Sequence, residues 1–267
     1  MANSSLARYS NLVKYIRNWP LYFLRKFKNG YAELQFTIRR RSILFTTPAK
    51  SLYLVFKEIF LNDVYVMDRL ASQLPEKPVV IDIGSNAGYF SLFLLSQKPG
   101  AAIYAYDAVS ANQKLFTKHL EMNPALKSNV QAHHKAVTGT PQSHITLYME
   151  SDHGNSVTAS VYNDFVQQNT YSEEVPCISL KEIFDTNQLK KADLIKVDCE
   201  GSEYPIIYET PKEIWQQVDR MAMEIHNLDN DQRNMEHLQQ YLSTFGFTFS
   251  SFKLENDCFM LFAEKKN

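Results

Sequence analysis

Two short segments bring together acids and an imidazole in a pattern that suits proton transfer or metal binding. In the first, Asp193-Leu194-Ile195-Lys196-Val197 runs into Asp198-Cys199-Glu200-Gly201. In the second, Met221-Ala222-Met223 runs into Glu224-Ile225-His226. Both read as buried strands whose last residues are ionisable, and residues two apart on a strand share a face. Asp198, Glu200, Glu224 and His226 could therefore supply a general base. They could equally hold a hard divalent cation, magnesium or manganese, through oxygen ligands and one imidazole. The metal-free reading is adopted here, because the same four groups suit hydrogen bonding to an acceptor with several hydroxyls. Carboxylate neighbours favour imidazolium and so raise the pKa of His226, unless burial wins. Glu203 has a simpler role available, as an acid at the positive end of the helix that follows.

A third segment, Val79-Val80-Ile81-Asp82-Ile83-Gly84-Ser85-Asn86-Ala87-Gly88-Tyr89, is a buried strand, a turn with two glycines and a helix start. That architecture brings backbone N–H groups and a helix N-terminus against a small ligand. The next strand, Ala102–Tyr106, ends in Asp107, about twenty residues past the glycines, where a ribose presents its hydroxyls. A dinucleotide fingerprint fails, since its third and sixth glycine places hold Asn86 and Tyr89, and no Gly-Lys-Ser/Thr follows for a phosphate-cradling loop. A nucleoside ligand with few or no phosphates fits, and S-adenosylmethionine meets that description.

These residues need a frame that presents several strand ends at one edge. Strands are expected at 79–83, 102–106, 129–134, 193–198 and 219–225, with helices at about 87–97, 109–122, 179–186, 203–209 and 231–244. Such alternation implies a parallel sheet covered on both faces. Phe247–Phe252 and Cys258–Ala263 read as a closing hairpin that makes the last strand antiparallel. An insert over about 144–178 carries strands at 144–149 and 175–178 around a polar patch, Ser151–Ser156, expected to line the acceptor side. Upstream, 33–38 and 42–46 alternate as a hairpin around Arg39-Arg40-Arg41, and a helix runs from about 51 to 61. Before these, apolar residues at helical spacing surround Pro20, which splits two helices with Asn18 as a candidate cap.

The chain has 267 residues, 45% hydrophobic and 21% charged, which suits a folded globular protein. Residues 1–50 hold ten Lys/Arg and one acid, Glu33, so the remainder carries a net charge of −10. The division expected is a basic helical and hairpin extension over 1–50 and a catalytic domain over 51–267. The extension either packs on that domain or meets anionic lipid or an acidic acceptor. Cys177, Cys199 and Cys258 lack paired metal spacing and read as free thiols in a reducing compartment. No apolar run reaches the ~18–20 residues of a membrane span, and no signal peptide is evident. A cytoplasmic, at most membrane-peripheral, location is expected.

The combination VIDIGSNAGYFSL, AYD, DLIKVDCEGSEYPII and MEIHN resembles the FkbM family of S-adenosylmethionine-dependent methyltransferases, over roughly residues 52–265. The resemblance implies a class I methyltransferase fold: a Rossmann-like, seven-stranded α/β sheet with helices on both faces and an antiparallel last strand. It implies that Asp82, Gly84, Ser85, Asn86, Gly88 and Tyr89 surround the methionine part of the cofactor. Asp107 and Ala108 would then lie by the ribose, and Ala136 and Val137 by the adenine. The family is associated with O-methylation, and a hydroxyl of a sugar, glycan or glycolipid is the acceptor expected. The alternatives are a nucleic-acid methyltransferase and a non-catalytic nucleoside-binding domain. Asp107 departs from the family pattern, in which the longer Glu is usual with a proline after it.

Overall fold

The computed structural model describes residues 5–24, 33–149, 171–199, 201–255 and 257–265. The first part of the chain forms α1 (Ser5–Tyr15), α2 (Leu21–Leu24), β1 (Leu34–Ile38), β2 (Ile43–Thr47), α3 (Lys50–Phe56) and α4 (Met67–Ser72). The centre forms β3 (Val79–Ile83), α5 (Tyr89–Gln97), β4 (Ala102–Asp107), α6 (Ser110–Met122), β5 (Val130–His134), β6 (Ala136–Thr138), β7 (His144–Met149) and β8 (Tyr171–Ser179). The last part forms α7 (Leu180–Thr186), β9 (Leu194–Val197), α8 (Glu203–Glu209), α9 (Lys212–Gln216), β10 (Arg220–His226), α10 (Met235–Ser243), β11 (Phe247–Glu255) and β12 (Cys258–Lys265).

Seven strands form one sheet in the order β11-β12-β10-β9-β3-β4-β5. The five from β5 to β10 are parallel, and β12 runs antiparallel to both β10 and β11, as the closing hairpin requires. Side chains alternate between two cores. Val80, Leu194, Ala222 and Met260 face the core built with α5, α6 and the N-terminal elements. Ile81, Ile195, Met221, Met223 and Leu261 face the core built with α7, α8, α9 and α10. Asp82, Lys196, Asp198, Glu224 and His226 share the parity of the first set and so project from one face. Cys258 stands opposite His226 in the antiparallel register and joins them.

The N-terminal segment is part of this core, with no break in packing at residue 50. Leu12, Ile16, Phe36, Ile38 and Phe45 are fully or almost fully buried in the same cluster as Phe60 and Phe93. Phe36 stacks on Phe56 with ring centroids 4.4 Å apart, Phe45 on Phe60 at 5.1 Å, and Phe60 meets Phe93 at 4.7 Å. Asn18 does not cap α2. Its amide instead bridges to β1, donating to the Gln35 carbonyl and accepting from the Thr37 N–H. The helix expected over 51–61 is α3 followed by a π-helical turn, Lys57–Asn62, which Asp63 ends in a left-handed conformation.

Two elements of the catalytic region, α9 and β6, were not expected. Ala136 and Val137 do not extend β5; they form β6, which pairs with β8 in a separate three-stranded sheet completed by β7. The chain leaves the main sheet where the Lys135 N–H bonds back to the Asp107 carbonyl. Ser151–Ser156 lies outside the described residues, as does Glu200.

Candidate functional site

A cavity of about 270 Å³ opens at the carboxyl ends of β3, β4, β9 and β10. The strand order reverses between β3 and β9, and open α/β sheets bind ligands at such a point. Gly84, Ser85, Asn86, Tyr89, Asp107, Ala108, Ala136 and Val137 all line it, as do Asp198 and Glu224. Asp82, Gly88 and His226 do not.

The glycine turn is closed on itself. The Gly84 and Ser85 N–H groups both donate to the Tyr106 carbonyl, the Gly88 N–H to the Ser85 carbonyl, and the Ala87 N–H to the Asn86 side chain. The Asn86 N–H donates to Asp107 at 2.7 Å. The turn therefore does not offer these N–H groups to a ligand, as its sequence suggested; it shapes a wall. At Gly84, with φ +73°, a Cβ would lie inside contact distance of the Asp198 carbonyl, so only glycine lets β3 and β9 end this close together. At Gly88, with φ +79°, a Cβ would strike the Phe116 ring, which makes this a helix-packing position rather than a ligand contact. Tyr89 turns its hydroxyl away to the Thr46 carbonyl of β2, 2.7 Å off, and so ties the hairpin to the turn.

Asp107 is 7% exposed and accepts from the N–H groups of Asn86 and Val109 and from the Asn112 amide. Burial pushes its pKa up to about 6, against those hydrogen bonds. A carboxylate has about four lone-pair sites. With three occupied, one site on Oδ2 is open to a ribose hydroxyl.

Lys196 is the residue that sequence reasoning passed over. Its ammonium, 3% exposed, lies 3.4 Å from Asp82 and 3.3 Å from Asp198, and donates to the Gly84 carbonyl. Burial opposes its charge, but Asp198 and Asp82 outweigh burial and hold the pKa above the usual lysine value. Asp82 is fully buried and also accepts from Ser91 at 2.6 Å. Asp198 accepts from Tyr65 at 2.9 Å, and burial pushes that phenol well above its ordinary pKa. Asp82, read from sequence as a cofactor contact, is therefore the buried counter-charge of the lysine under the turn. The sequence carried half of the signal, one lysine in an otherwise apolar strand two residues before Asp198; its place opposite Asp82 comes from the register.

At the end of β10, the His226 Nε2 lies 3.7 Å from Glu224, and its Nδ1 lies 4.0 Å from Glu203. Burial dominates and pushes the imidazole pKa down, with Asp198 opposing, so burial wins over the upward shift that carboxylate neighbours favour. Glu203 is fully buried, accepts from the N–H groups of Cys199 and Gly201, and is pushed up to about 7 by burial. The Cys258 thiol donates to Glu224 at 3.3 Å. Of the four residues expected at this edge, Glu200 lies outside the described residues and Asp198 turns to Lys196 and Tyr65, while Cys258 joins Glu224 and His226. Other walls were not foreseen. Leu54, Val55, Glu58 and Ile59 come from α3 and its π turn, Thr138 ends β6, and Lys135 and Gly139 flank it.

A sheet of this strand order, with its antiparallel seventh strand and a nucleoside-sized cleft at the switch point, defines a Rossmann-like class I methyltransferase fold. The chain belongs to the FkbM methyltransferase family: the family model for the methyltransferase FkbM domain matches residues 82–249. It is accordingly an S-adenosylmethionine-dependent methyltransferase of FkbM type. It is 27% identical over 205 residues to Methyltransferase 1 of Beauveria bassiana, covering 70% of this chain and 80% of that one. It is 26% identical over 194 residues to Methyltransferase sdnD of Sordaria araneosa, covering 64% and 73%. Among solved structures, the FkbM methyltransferase of Methylobacillus flagellatus KT aligns with a TM-score of 0.49 and 14% identity, over 80% of this chain and 53% of that one.

Proposed function

We propose that this chain is an O-methyltransferase that modifies a hydroxyl of a sugar, glycan or glycolipid. The observation that carries the reading is one cavity lined both by the groups expected to hold a nucleoside and by the carboxylates of Glu58, Asp198, Glu209 and Glu224. Asp107 and Ala108 would hold the ribose, Ala136 and Val137 the adenine, and Gly84 to Asn86 the methionine part. When bound, S-adenosylmethionine supplies an electrophilic methyl on a sulfonium that leaves as a neutral thioether. The chain's task is then mostly alignment, which can contribute up to ~7–11 kcal/mol. Glu58, Glu209 and Glu224 on the lining can accept hydrogen bonds from hydroxyls, and with Asp107 and Asp198 they outnumber the lining cations Lys135 and Lys196, which favours a polyol over nucleic acid. Leu54, Val55 and Ile59 add an apolar wall for a sugar face or a lipid chain. The acceptor's proton is assigned to the cluster at the end of β10, where Glu224 faces the cavity and His226 stands behind it.

The basic N-terminal segment is proposed to hold the enzyme at an anionic membrane surface, where a glycolipid acceptor resides. The test is transfer of labelled methyl to a panel of glycans, glycolipids, RNA and DNA. Label in a glycan or glycolipid, as a base-stable ether, is the expected result. Label in nucleic acid alone would overturn the acceptor class, and no transfer with intact cofactor binding would favour a binding domain.

A further inference from the structure

We propose that Glu224, His226 and Cys258 form a zinc site at the end of β10 and β12. The three come together by register: Glu224 and His226 are two apart on β10, and Cys258 is the cross-strand partner of His226. All three side chains project from one face, and their ligand atoms lie within 4.8 Å of one another. The spacing suits a tetrahedral ion. Zinc bonds of about 2.0–2.1 Å to nitrogen or oxygen and about 2.3 Å to sulfur place ligand atoms roughly 3.3–3.6 Å apart. Here Nε2 of His226 is 3.7 Å and Sγ of Cys258 is 3.3 Å from Oε1 of Glu224.

The donor set chooses the metal. A thiolate with an imidazole and a carboxylate suits zinc or its cobalt substitute, whereas magnesium and manganese prefer oxygen ligands. The surroundings also fit. A ligating histidine usually turns its second ring nitrogen to a carboxylate or carbonyl. Here Nδ1 of His226 faces the buried Glu203, whose Oε2 makes no hydrogen bond among the described residues. The Tyr204 hydroxyl donates to the His226 carbonyl at 2.8 Å and fixes the strand end. Three protein ligands leave a fourth position, the pattern of a site that takes water or substrate. Because Glu224 also lines the cavity, such an ion would border the place where an acceptor oxygen is held.

The site stands on ligand geometry and does not rest on the acceptor proposed above, so metal binding and methyl transfer are measured separately. The full chain is purified, stripped with a chelator and titrated with Co²⁺ and then with Zn²⁺. One equivalent of cobalt per chain is expected, with a thiolate-to-cobalt charge-transfer band that zinc abolishes by displacement. Cys258→Ser should remove the band, and His226→Ala should weaken binding at least tenfold, both with circular dichroism unchanged. If either variant fails to fold, Glu224→Gln provides the same comparison. Absence of stoichiometric binding to the wild type, or an unchanged band in Cys258→Ser, would overturn the assignment.

Discussion

Lys196 neutralises two acids at once, and only one of them can be reached by water. Removing the ammonium strands Asp82, which is fully buried, and leaves Asp198 beside the cavity without its partner. Breaking a buried pair from one side typically costs ~3–5 kcal/mol. Lys196→Met is therefore expected to lose about that much in urea unfolding, and Asp82→Asn in the same chain should recover part of it. A loss below ~1 kcal/mol would show that water already screens the pair. Asp107 is a different case, because the bond proposed from a ribose hydroxyl is stronger to an ionised carboxylate than to a neutral carboxyl. Asp107→Asn should weaken S-adenosylmethionine binding ten- to a hundredfold, since hydrogen bonds to charged groups contribute ~1.5–3 kcal/mol. With its pKa near 6, wild-type affinity should fall as pH drops below that value, while Asp107→Asn stays flat. Calorimetry at pH 5 and 8 checks both. The difference between these residues is also a difference in legibility. Asp107 could be found from its distance to the glycines, whereas the use of Lys196 depends on the register of β3 against β9, which spacing along the chain does not give.

At the scale of elements, His119 joins three of them. The Thr46 N–H of β2 donates to Nε2 at 3.0 Å, so the neutral ring carries its proton on Nδ1, which donates to the Ala87 carbonyl at 2.8 Å. A second proton would face the Thr46 N–H, and burial already pushes the pKa down to about 4. The folded state then binds fewer protons than the unfolded chain between about pH 4 and pH 6.5, so this contribution grows with pH. It is complete above pH 6.5 and is lost as pH falls to about 4. At ~1.4 kcal/mol per pH unit, the change is roughly 3 kcal/mol. His119→Gln should remove that part of the slope, so the stability gap between the two proteins should narrow from pH 8 to pH 4. A gap independent of pH would mean the ring titrates alike in the folded and unfolded chains. The strands of the main sheet were legible because continuous apolar runs bounded by glycine, proline and acids permit little else. In the second sheet β7 and the end of β8 were expected, but β6 was not, since Ala136–Thr138 is too short to carry a period. Nor was the helical bend at Lys57–Asn62, because a π turn leaves no pattern of its own.

At the scale of the whole molecule, the charge division between residues 1–50 and the rest takes on a shape. Arg39 donates to the carbonyls of Val13 and Ile16, and Lys14 pairs with Asp68, so part of the basic block is spent holding α1 in place. Among the residues α1 turns outward is an apolar stripe: Leu6 at 83% exposure, Tyr9 at 40% and Val13 at 44%, spaced three and four residues apart on one face. An apolar stripe on a segment that is strongly basic overall has the character of a helix that lies on an anionic bilayer. Among the described residues no helix is long and apolar enough to cross one. Deleting residues 1–50 does not test this, because Phe36 and Phe45 would leave the core with them. Leu6→Glu with Val13→Glu changes only exposed positions. Wild-type protein should sediment with vesicles containing phosphatidylserine and not with neutral vesicles, and raised salt should release it, since each basic residue near the surface contributes ~1 kcal/mol. The double variant should stay in the supernatant while its melting temperature and S-adenosylmethionine affinity remain those of the wild type. Sedimentation that ignores lipid charge, or survives both glutamates, would take the membrane role away from α1.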